Sequence, residues 1–223
     1  MRFSGETLRL YAVTDRSWLR PGETLAAAVE EVLRGGATLV QLRDKDLSEE
    51  ALAAQAETLL PVCRRFGVPL ILNDNVAVAA EVGADGVHVG QGDAPLAEAR
   101  RLLGPGKIIG VSAHNVEEAL AAEAGGADYL GCGAVFGSGT KRDASTLTPQ
   151  GLARICAAVR IPVVAIGGIH AGNIQELNGC GANGVAVISA LFAQPDKEQA
   201  ARRLLALSIQ MAVDHPTQGG VLS

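Results

Sequence analysis

The sequence predicts an α/β fold, namely a (β/α)8 or TIM barrel formed by a single domain. Short apolar runs rich in Val, Ile and Leu recur eight times, and stretches with helical periodicity lie between most of them. Parallel strands need crossover helices, so this alternation indicates a parallel sheet. A chain of 223 residues suits one such barrel, and eight units favour its closure over an open sheet.

The elements follow in order along the chain. We expect strands at residues 8–13, 39–42, 69–72, 86–89, 108–111, 129–135, 162–166 and 184–188. We expect helices at 25–33, 49–60, 116–124 and 152–159, the last beginning near the N-cap pair Thr148-Pro149. The segments 76–82 and around Pro95 fit the helical pattern least well.

A recurring Gly-Ala pair supports the repeat. The pairs beginning at Gly36, Gly83, Gly126 and Gly181 each stand just before an expected strand. Glycine takes the left-handed position after a helix without steric cost, so each pair marks the end of a helix. We expect the barrel to span residues 1–213 and residues 214–223 to be a disordered tail.

The composition limits the classes of molecule that this protein is expected to bind. With 24 acidic and 19 basic residues the net charge is −5, which argues against nucleic acid binding. The four cysteines are widely spaced, which favours reduced, buried thiols over a zinc site. No signal-like or membrane-spanning stretch stands out, so we expect a cytoplasmic protein that acts on small molecules. Whether it forms a homo-oligomer is left open.

Two acidic residues follow neighbouring strands. Asp74 comes after the third strand and Asp93 after the fourth. Chemistry in parallel α/β folds gathers at the carboxyl ends of the strands, and Mg²⁺ is usually held there by one or two carboxylates plus substrate phosphates. The alternative interpretation is structural: Asn73 and Asp74 would cap the next helix, and Asp93 would start a turn.

The second strand ends in a polar, cationic run. Because side chains alternate along a strand, Gln41, Arg43 and Lys45 should project to the same side. An amide, a bidentate guanidinium and an ammonium suit a diphosphate. The alternative is a solvated strand end whose cations are balanced by Asp44 and Asp46.

The loop after the sixth strand, residues 137–146, is unusually long for a barrel loop. It carries small residues, hydroxyls and the cations Lys141 and Arg142, which is typical of a lid that closes over phosphate. An exposed flexible loop is the alternative.

Glycines and hydroxyls follow the remaining strands. Gly167-Gly168 and Ile188-Ser189 stand where TIM barrels often bind phosphate through backbone N–H groups. Ser112 after the fifth strand is a candidate for a substrate hydrogen bond, and His114 for either an acid/base or a structural role. His88, inside the fourth strand, is expected to pack within the barrel or against a helix.

With these residues placed, the chain resembles the thiamine-phosphate synthase family over about residues 8–195. The resemblance rests on Tyr11-Ala12-Val13-Thr14-Asp15, Gln41-x-Arg43-x-Lys45, Asn73-Asp74, Gln91-x-Asp93, Gly110-Val111-Ser112-x-His114, Thr140-Lys141, Gly167-Gly168 and Ile188-Ser189.

The resemblance implies a TIM-barrel transferase that uses Mg²⁺. It joins a hydroxymethylpyrimidine diphosphate to a thiazole phosphate and releases diphosphate. By this resemblance Asp74 and Asp93 bind Mg²⁺, and Arg43, Lys45 and Lys141 stabilise the leaving group. The same resemblance assigns the pyrimidine diphosphate to Gln41, Arg43, Lys45, Asn73, Ser112 and Lys141, and the thiazole phosphate to Ser138, Thr140, Gly168, Ile188 and Ser189.

One motif departs from the family pattern. The family usually has Pro-Thr-x-Thr-Lys in the sixth loop, whereas this chain has Gly137-Ser138-Gly139-Thr140-Lys141.

Two alternative functions share the fold: a thiazole tautomerase with His114 as its acid/base group, and a non-catalytic paralogue that senses a thiamine precursor. The retained Asp74/Asp93 pair speaks against both.

Overall fold

Eight short parallel strands close into a barrel in their order along the chain, which confirms the expected fold class. The structure is a computed structural model and describes residues 3–137 and 147–213. The last strand pairs with the first and so closes the ring. The strands are β1 (Leu10–Val13), β2 (Leu39–Leu42), β3 (Leu70–Asn73), β4 (Gly86–Val89), β5 (Ile108–Ala113), β6 (Tyr129–Cys132), β7 (Val163–Ile166) and β8 (Gly184–Val187).

Helices surround this barrel. They are α1 (Leu25–Arg34), α2 (Glu49–Phe66), α3 (Val76–Glu81), α4 (Leu96–Leu103), α5 (Val116–Ala124), α6 (Pro149–Ala158), α7 (Ser189–Phe192) and α8 (Lys197–Val213). Short 3₁₀ turns add Gly5–Leu8, Arg16–Trp18 and Ile174–Leu177. The crossover from β7 to β8 therefore contains a 3₁₀ turn where the other crossovers contain an α-helix.

Several element boundaries differ from the expectation by one to six residues, and three of these differences have a clear physical reason. Strand β5 extends to Ala113, because Ser112 and Ala113 still pair with β6. Strand β6 stops at Cys132, since its register with β7 ends there. Helix α2 runs through Pro61 to Phe66. A proline removes one backbone donor, yet the residues beyond it still bury an apolar face, which offsets that cost.

The helix ends follow the signals in the sequence. All four glycines of the Gly-Ala repeat have positive φ, between 67° and 99°. Thr148 accepts a hydrogen bond from the N–H of Gly151 at 3.1 Å and so caps α6, with Pro149 as its first residue. Local chemistry therefore fixes where these units begin and end.

Alternation along the strands produces two separate cores. The residues facing outward pack under the helices in one large apolar cluster. Those facing inward form a smaller cluster that includes Tyr11, Ile71, Tyr129, Val164 and Ala186. The outer core thus carries most of the apolar burial, and the inner one leaves room for polar side chains inside the barrel.

A buried ion pair ties the loop after β1 to the start of α8. Lys197 is fully buried, and its Nζ donates to both carboxylate oxygens of Glu23 at 2.9 and 3.2 Å. Arg20 also donates to Glu23, at 2.7 Å. The hydrogen bond from Arg20, opposed by burial and assisted by Lys197, lowers the pKa of Glu23 to about 2.

We expect Glu23→Gln to destabilise the fold, because it leaves the Lys197 ammonium buried without its counter-charge. The free energy of unfolding at pH 7 should fall by about 3 kcal/mol. In the native protein this contribution is complete above about pH 5 and is lost as the pH falls towards 2, since the folded pKa lies below the unfolded value of about 4.3. The variant should lose less stability over that interval, as measured by urea unfolding between pH 3 and 7.

Glu198→Gln is the matched control. Glu198 pairs with Arg202 on the exposed face of α8, and its removal should cost under about 1 kcal/mol. Equal losses in the two variants would contradict a special role for the buried pair.

Candidate active site

Polar side chains gather at the carboxyl ends of the strands, on one rim of the barrel. Gln41 lies near the end of β2, Asn73 at the end of β3 and Ser112 near the end of β5. Asp74 and Asp93 follow β3 and β4. Because all eight strands are parallel, these groups share one end of the barrel, as the sequence predicted.

The two acidic residues meet as expected. The Asp93 carboxyl lies within hydrogen-bonding range of Asp74, and burial together with this neighbouring acid raises the pKa of Asp74. Asp93 is itself oriented by the N–H of Gly90, which donates to it at 2.7 Å. The Nζ of Lys45 is 3.7 Å from the Asp74 carboxylate and partly offsets the negative charge.

The backbone also singles out Asp74. Its φ is 61°, a left-handed conformation that residues other than glycine adopt only at some cost. The capping interpretation is wrong here, since Asn75 caps α3 by accepting from the N–H of Val78 at 2.9 Å. The turn expected at Asp93 is present, because its N–H donates to the carbonyl of Gly90.

This carboxylate pair fits a hard divalent cation. Burial and the neighbouring Asp93 raise the pKa of Asp74, and the two carboxylates concentrate negative charge that the Lys45 ammonium, 3.7 Å from Asp74, only partly balances. Over residues 3–137 and 147–213 no cluster of three or more acidic, His or Cys ligands occurs. Mg²⁺ tolerates such a site because it keeps several waters and takes further oxygens from substrate phosphates.

The cationic run at the end of β2 is held in place by the first strand. The backbone N–H of Arg43 donates to the hydroxyl of Thr14 at 3.0 Å. Asp44 is turned away and pairs with Arg16. The proposed balancing of the cations by Asp44 is therefore not seen, and Lys45 instead approaches Asp74.

A buried hydrogen-bond network crosses the barrel interior. The Nε2 of Gln41 donates to the Tyr11 hydroxyl at 2.5 Å, and the hydroxyls of Tyr11 and Tyr129 are 2.9 Å apart. His88 then bridges the Tyr129 hydroxyl through Nδ1 and the Ser112 hydroxyl through Nε2, each at 3.0 Å. We call these five residues the interior network.

The sequence analysis assigned no functional role to Tyr11 or Tyr129, and it expected His88 only to pack within the barrel or against a helix. The available signal was strand alternation, which points His88 inward between the outward-facing Val87 and Val89. His88 indeed lies inside the barrel, and burial lowers its pKa to about 4. It is therefore a neutral imidazole that links two hydroxyls.

Two glycines make room for this network. A Cβ on Gly110 would lie 2.1 Å from the ring of Tyr129, and one on Gly131 would lie 2.8 Å from the imidazole of His88. Neither distance can be accommodated without moving the aromatic ring. Gly110 and Gly131 are therefore part of the site although they carry no side chain.

The loops after β6 and β7 pack against each other. Gly167 and Gly168 both have positive φ, and a Cβ on Gly168 would lie 2.3 Å from the carbonyl oxygen of Gly137. The N–H of Phe136 donates to the carbonyl of Gly167 at 3.1 Å. The start of the sixth loop thus lies beside the glycines that are expected to bind phosphate.

The remaining expectations have different outcomes. Ile188 and Ser189 follow β8, with Ser189 exposed at the start of α7. Ser138, Thr140, Lys141 and the rest of the expected lid up to residue 146 lie outside the described residues, as does the expected tail at 214–223. His114 contacts Glu118 through Nδ1 at 2.9 Å at the start of α5, which supports its structural interpretation.

Fold and site together define a class of protein. It is a (β/α)8-barrel enzyme with paired carboxylates, adjacent cations and glycine-rich loops at the carboxyl ends of its strands, a set that suits metal-bound phosphorylated substrates. None of the helices within residues 3–137 and 147–213 has the length and apolar character that a membrane span requires.

The comparisons with known proteins give the family. The family model described as thiamine monophosphate synthase matches residues 10–191. The chain is 50% identical to thiamine-phosphate synthase of Chloroflexus aurantiacus over 200 residues, which cover 89% of this chain and 92% of that protein. It is 45% identical to the enzyme of Ruminiclostridium cellulolyticum over 203 residues, 91% of this chain and 96% of the relative.

A solved structure agrees. Thiamine phosphate pyrophosphorylase from Pyrococcus furiosus superposes with a TM-score of 0.85 at 38% identity, covering 93% of this chain and 98% of that one. The chain belongs to the thiamine monophosphate synthase family.

We expect Asp93→Asn to reduce the response to Mg²⁺ without unfolding the protein. The amide can still accept from Gly90, and the repulsion between the two acids disappears, so the thermal midpoint without metal should be nearly unchanged. A ligand that binds only the folded state raises the midpoint, so MgCl₂ should stabilise the native protein more than the variant in differential scanning calorimetry.

Asp46→Asn is the control, since Asp46 is an exposed carboxylate beyond the same rim. Its response to MgCl₂ should match that of the native protein. An equal response in Asp93→Asn would remove Asp93 from the metal site.

Proposed function

We propose that this protein is a thiamine-phosphate synthase that joins a hydroxymethylpyrimidine diphosphate to a thiazole phosphate and releases diphosphate. The observation that carries the proposal is the Asp74/Asp93 pair with Lys45 beside it, at the rim of a barrel of this family. The substrates are small molecules of thiamine biosynthesis. The composition favours a cytoplasmic enzyme that binds neither nucleic acid nor membrane.

The metal would be Mg²⁺, bound by Asp74 and Asp93. When bound it supplies positive charge to the diphosphate oxygens and so stabilises the leaving group. Lys45, already drawn to this end of the barrel by Asp74, and Arg43 at the end of β2 bind the same diphosphate.

The other groups orient the two substrates. Gln41, Asn73 and Ser112 face the pyrimidine. Gly168, Ile188 and Ser189 follow β7 and β8, where barrel loops hold phosphate, and accommodate the thiazole phosphate. By resemblance Ser138 and Thr140 join that phosphate site, and Lys141 joins the diphosphate.

The reaction is a substitution at the methylene carbon of the pyrimidine. The bond from this carbon to the diphosphate oxygen breaks, and both electrons leave with the diphosphate. The lone pair of the thiazole nitrogen then forms the new carbon–nitrogen bond. No protein nucleophile is required, so catalysis consists of positioning the substrates and stabilising the leaving charge.

The two alternatives on this fold receive less support. A thiazole tautomerase would need His114 as an acid/base group, but its Nδ1 is engaged by Glu118 at the start of α5. A non-catalytic precursor sensor would not need the strained, like-charged pair at Asp74 and Asp93.

We expect the purified protein to form thiamine phosphate and diphosphate from the two substrates only when Mg²⁺ is present. Chromatography of the products, with and without excess chelator, measures this. Isomerisation of the thiazole without condensation would indicate a tautomerase. Binding of substrates without any turnover would indicate a sensor. Full turnover in chelator would exclude the metal from the mechanism.

We expect Arg43→Ala to weaken binding of the pyrimidine diphosphate by about 1.5–3 kcal/mol, the range for a hydrogen bond to a charged group. Isothermal titration calorimetry with the diphosphate substrate measures this loss. Arg16→Ala is the control, because Arg16 is a nearby cation already paired with Asp44. The assignment fails if free diphosphate protects native protein and Arg43→Ala equally from thermal unfolding.

A further inference from the structure

The interior network connects two residues of the proposed pyrimidine site through the interior of the barrel. Gln41 on β2 and Ser112 on β5 stand three strands apart around the barrel. Tyr11, Tyr129 and His88 link them by an unbroken series of contacts between 2.5 and 3.0 Å. Tyr11, Tyr129 and His88 each contact one partner on either side. The choice of donor and acceptor at one end of the network therefore determines that choice at the other end.

The orientation of the Gln41 amide determines which group donates in each hydrogen bond of the network. An amide nitrogen can only donate, so Tyr11 accepts from Gln41 and uses its own hydrogen to donate to Tyr129. Tyr129 then donates to Nδ1 of His88, which carries its hydrogen on Nε2 and donates to Ser112. If Tyr129 donated to Tyr11 instead, the Tyr11 hydrogen would have no acceptor among the described residues.

Two groups are left for a ligand. Gln41 retains its carbonyl oxygen as an acceptor, and Ser112 retains its hydroxyl hydrogen as a donor. A 4-aminopyrimidine offers the complement, because its amino group donates and its ring nitrogens accept. A 4-oxopyrimidine presents a carbonyl where the amino group would be and so opposes the Gln41 oxygen.

We propose that Tyr11, Tyr129 and His88 are positioning residues that lock the Gln41 amide and the Ser112 hydroxyl into the hydrogen-bonding pattern of an aminopyrimidine, so that the barrel interior selects the amino over the oxo substrate. This inference rests on the proposed function. It extends that function to three further side chains and gives them a role in specificity.

Packing around the network supports a dedicated role. Tyr11 and Tyr129 are both almost fully buried, and burial raises the pKa of each phenol, so both remain neutral hydrogen-bonding groups. A barrel interior needs only apolar side chains for its own stability. Here Gly110 and Gly131 leave space for two aromatic rings that carry polar atoms.

The test measures kcat and KM with the 4-amino and the 4-oxo pyrimidine diphosphates in Tyr11→Phe and Tyr129→Phe. Losing one buried partner should raise the KM for the amino substrate about tenfold. The KM for the thiazole phosphate and the single-turnover rate at saturation should change less than about threefold, since no group at the reacting carbon is altered.

The preference for the amino over the oxo substrate should fall by at least about tenfold, because an unlocked Gln41 amide can rotate to offer its nitrogen. The double variant should resemble either single variant, because the network acts as one unit. Val164→Ala is the control: Val164 is buried in the barrel interior outside the network, so it should lower the thermal midpoint and leave the preference unchanged.

His88→Gln supplies a further variant if the tyrosine variants do not fold, because glutamine keeps one donor and one acceptor and should retain more of the preference than His88→Leu. An unchanged preference and KM in a folded Tyr129→Phe would overturn the inference while leaving the proposed function intact. Native protein without activity on either pyrimidine would instead refute the proposed function.

Discussion

A polar atom on the inward face of a barrel strand must find its partner inside the barrel, and the site depends on this constraint. Across residues 3–137 and 147–213, no buried side-chain nitrogen or oxygen lacks a hydrogen-bond partner. Tyr11, Gln41 and Tyr129 meet this requirement through one another, and His88 extends the series to Ser112. The same hydrogen bonds therefore stabilise the barrel interior and orient the side chains of the site.

The size of the inward-facing residues then decides where polar side chains fit inside the barrel. Glycines at 110 and 131 accept the rings of Tyr129 and His88, while Ile71 and Val164 fill the interior with apolar volume. Large and small residues on neighbouring strands must be matched for a barrel interior to fill without voids. A substitution at either glycine would consequently disturb the site through packing alone.

Charge is handled in opposite ways at two places in the fold. Glu23 and Lys197 are buried together with Arg20 beside them, so their charges cancel and hold a loop against α8. Asp74 and Asp93 instead place like charges side by side, and Asp74 does so from a left-handed backbone. The first arrangement is what stability favours, whereas the second is costly unless a cation binds there.

The barrel, the positions of all eight strands within a few residues and the proximity of Asp74 to Asp93 could all be predicted from the sequence. Those features follow from apolar periodicity, helix-ending glycines and the rule that parallel strands end on one rim. The sequence did not predict that α2 continues through Pro61. The low helix propensity of proline opposes this continuation, whereas burial of the residues that follow stabilises it. The interior network could not be predicted in this way, because Tyr11, His88 and Tyr129 come from distant parts of the sequence and their hydroxyl and imidazole contacts form only when the barrel closes.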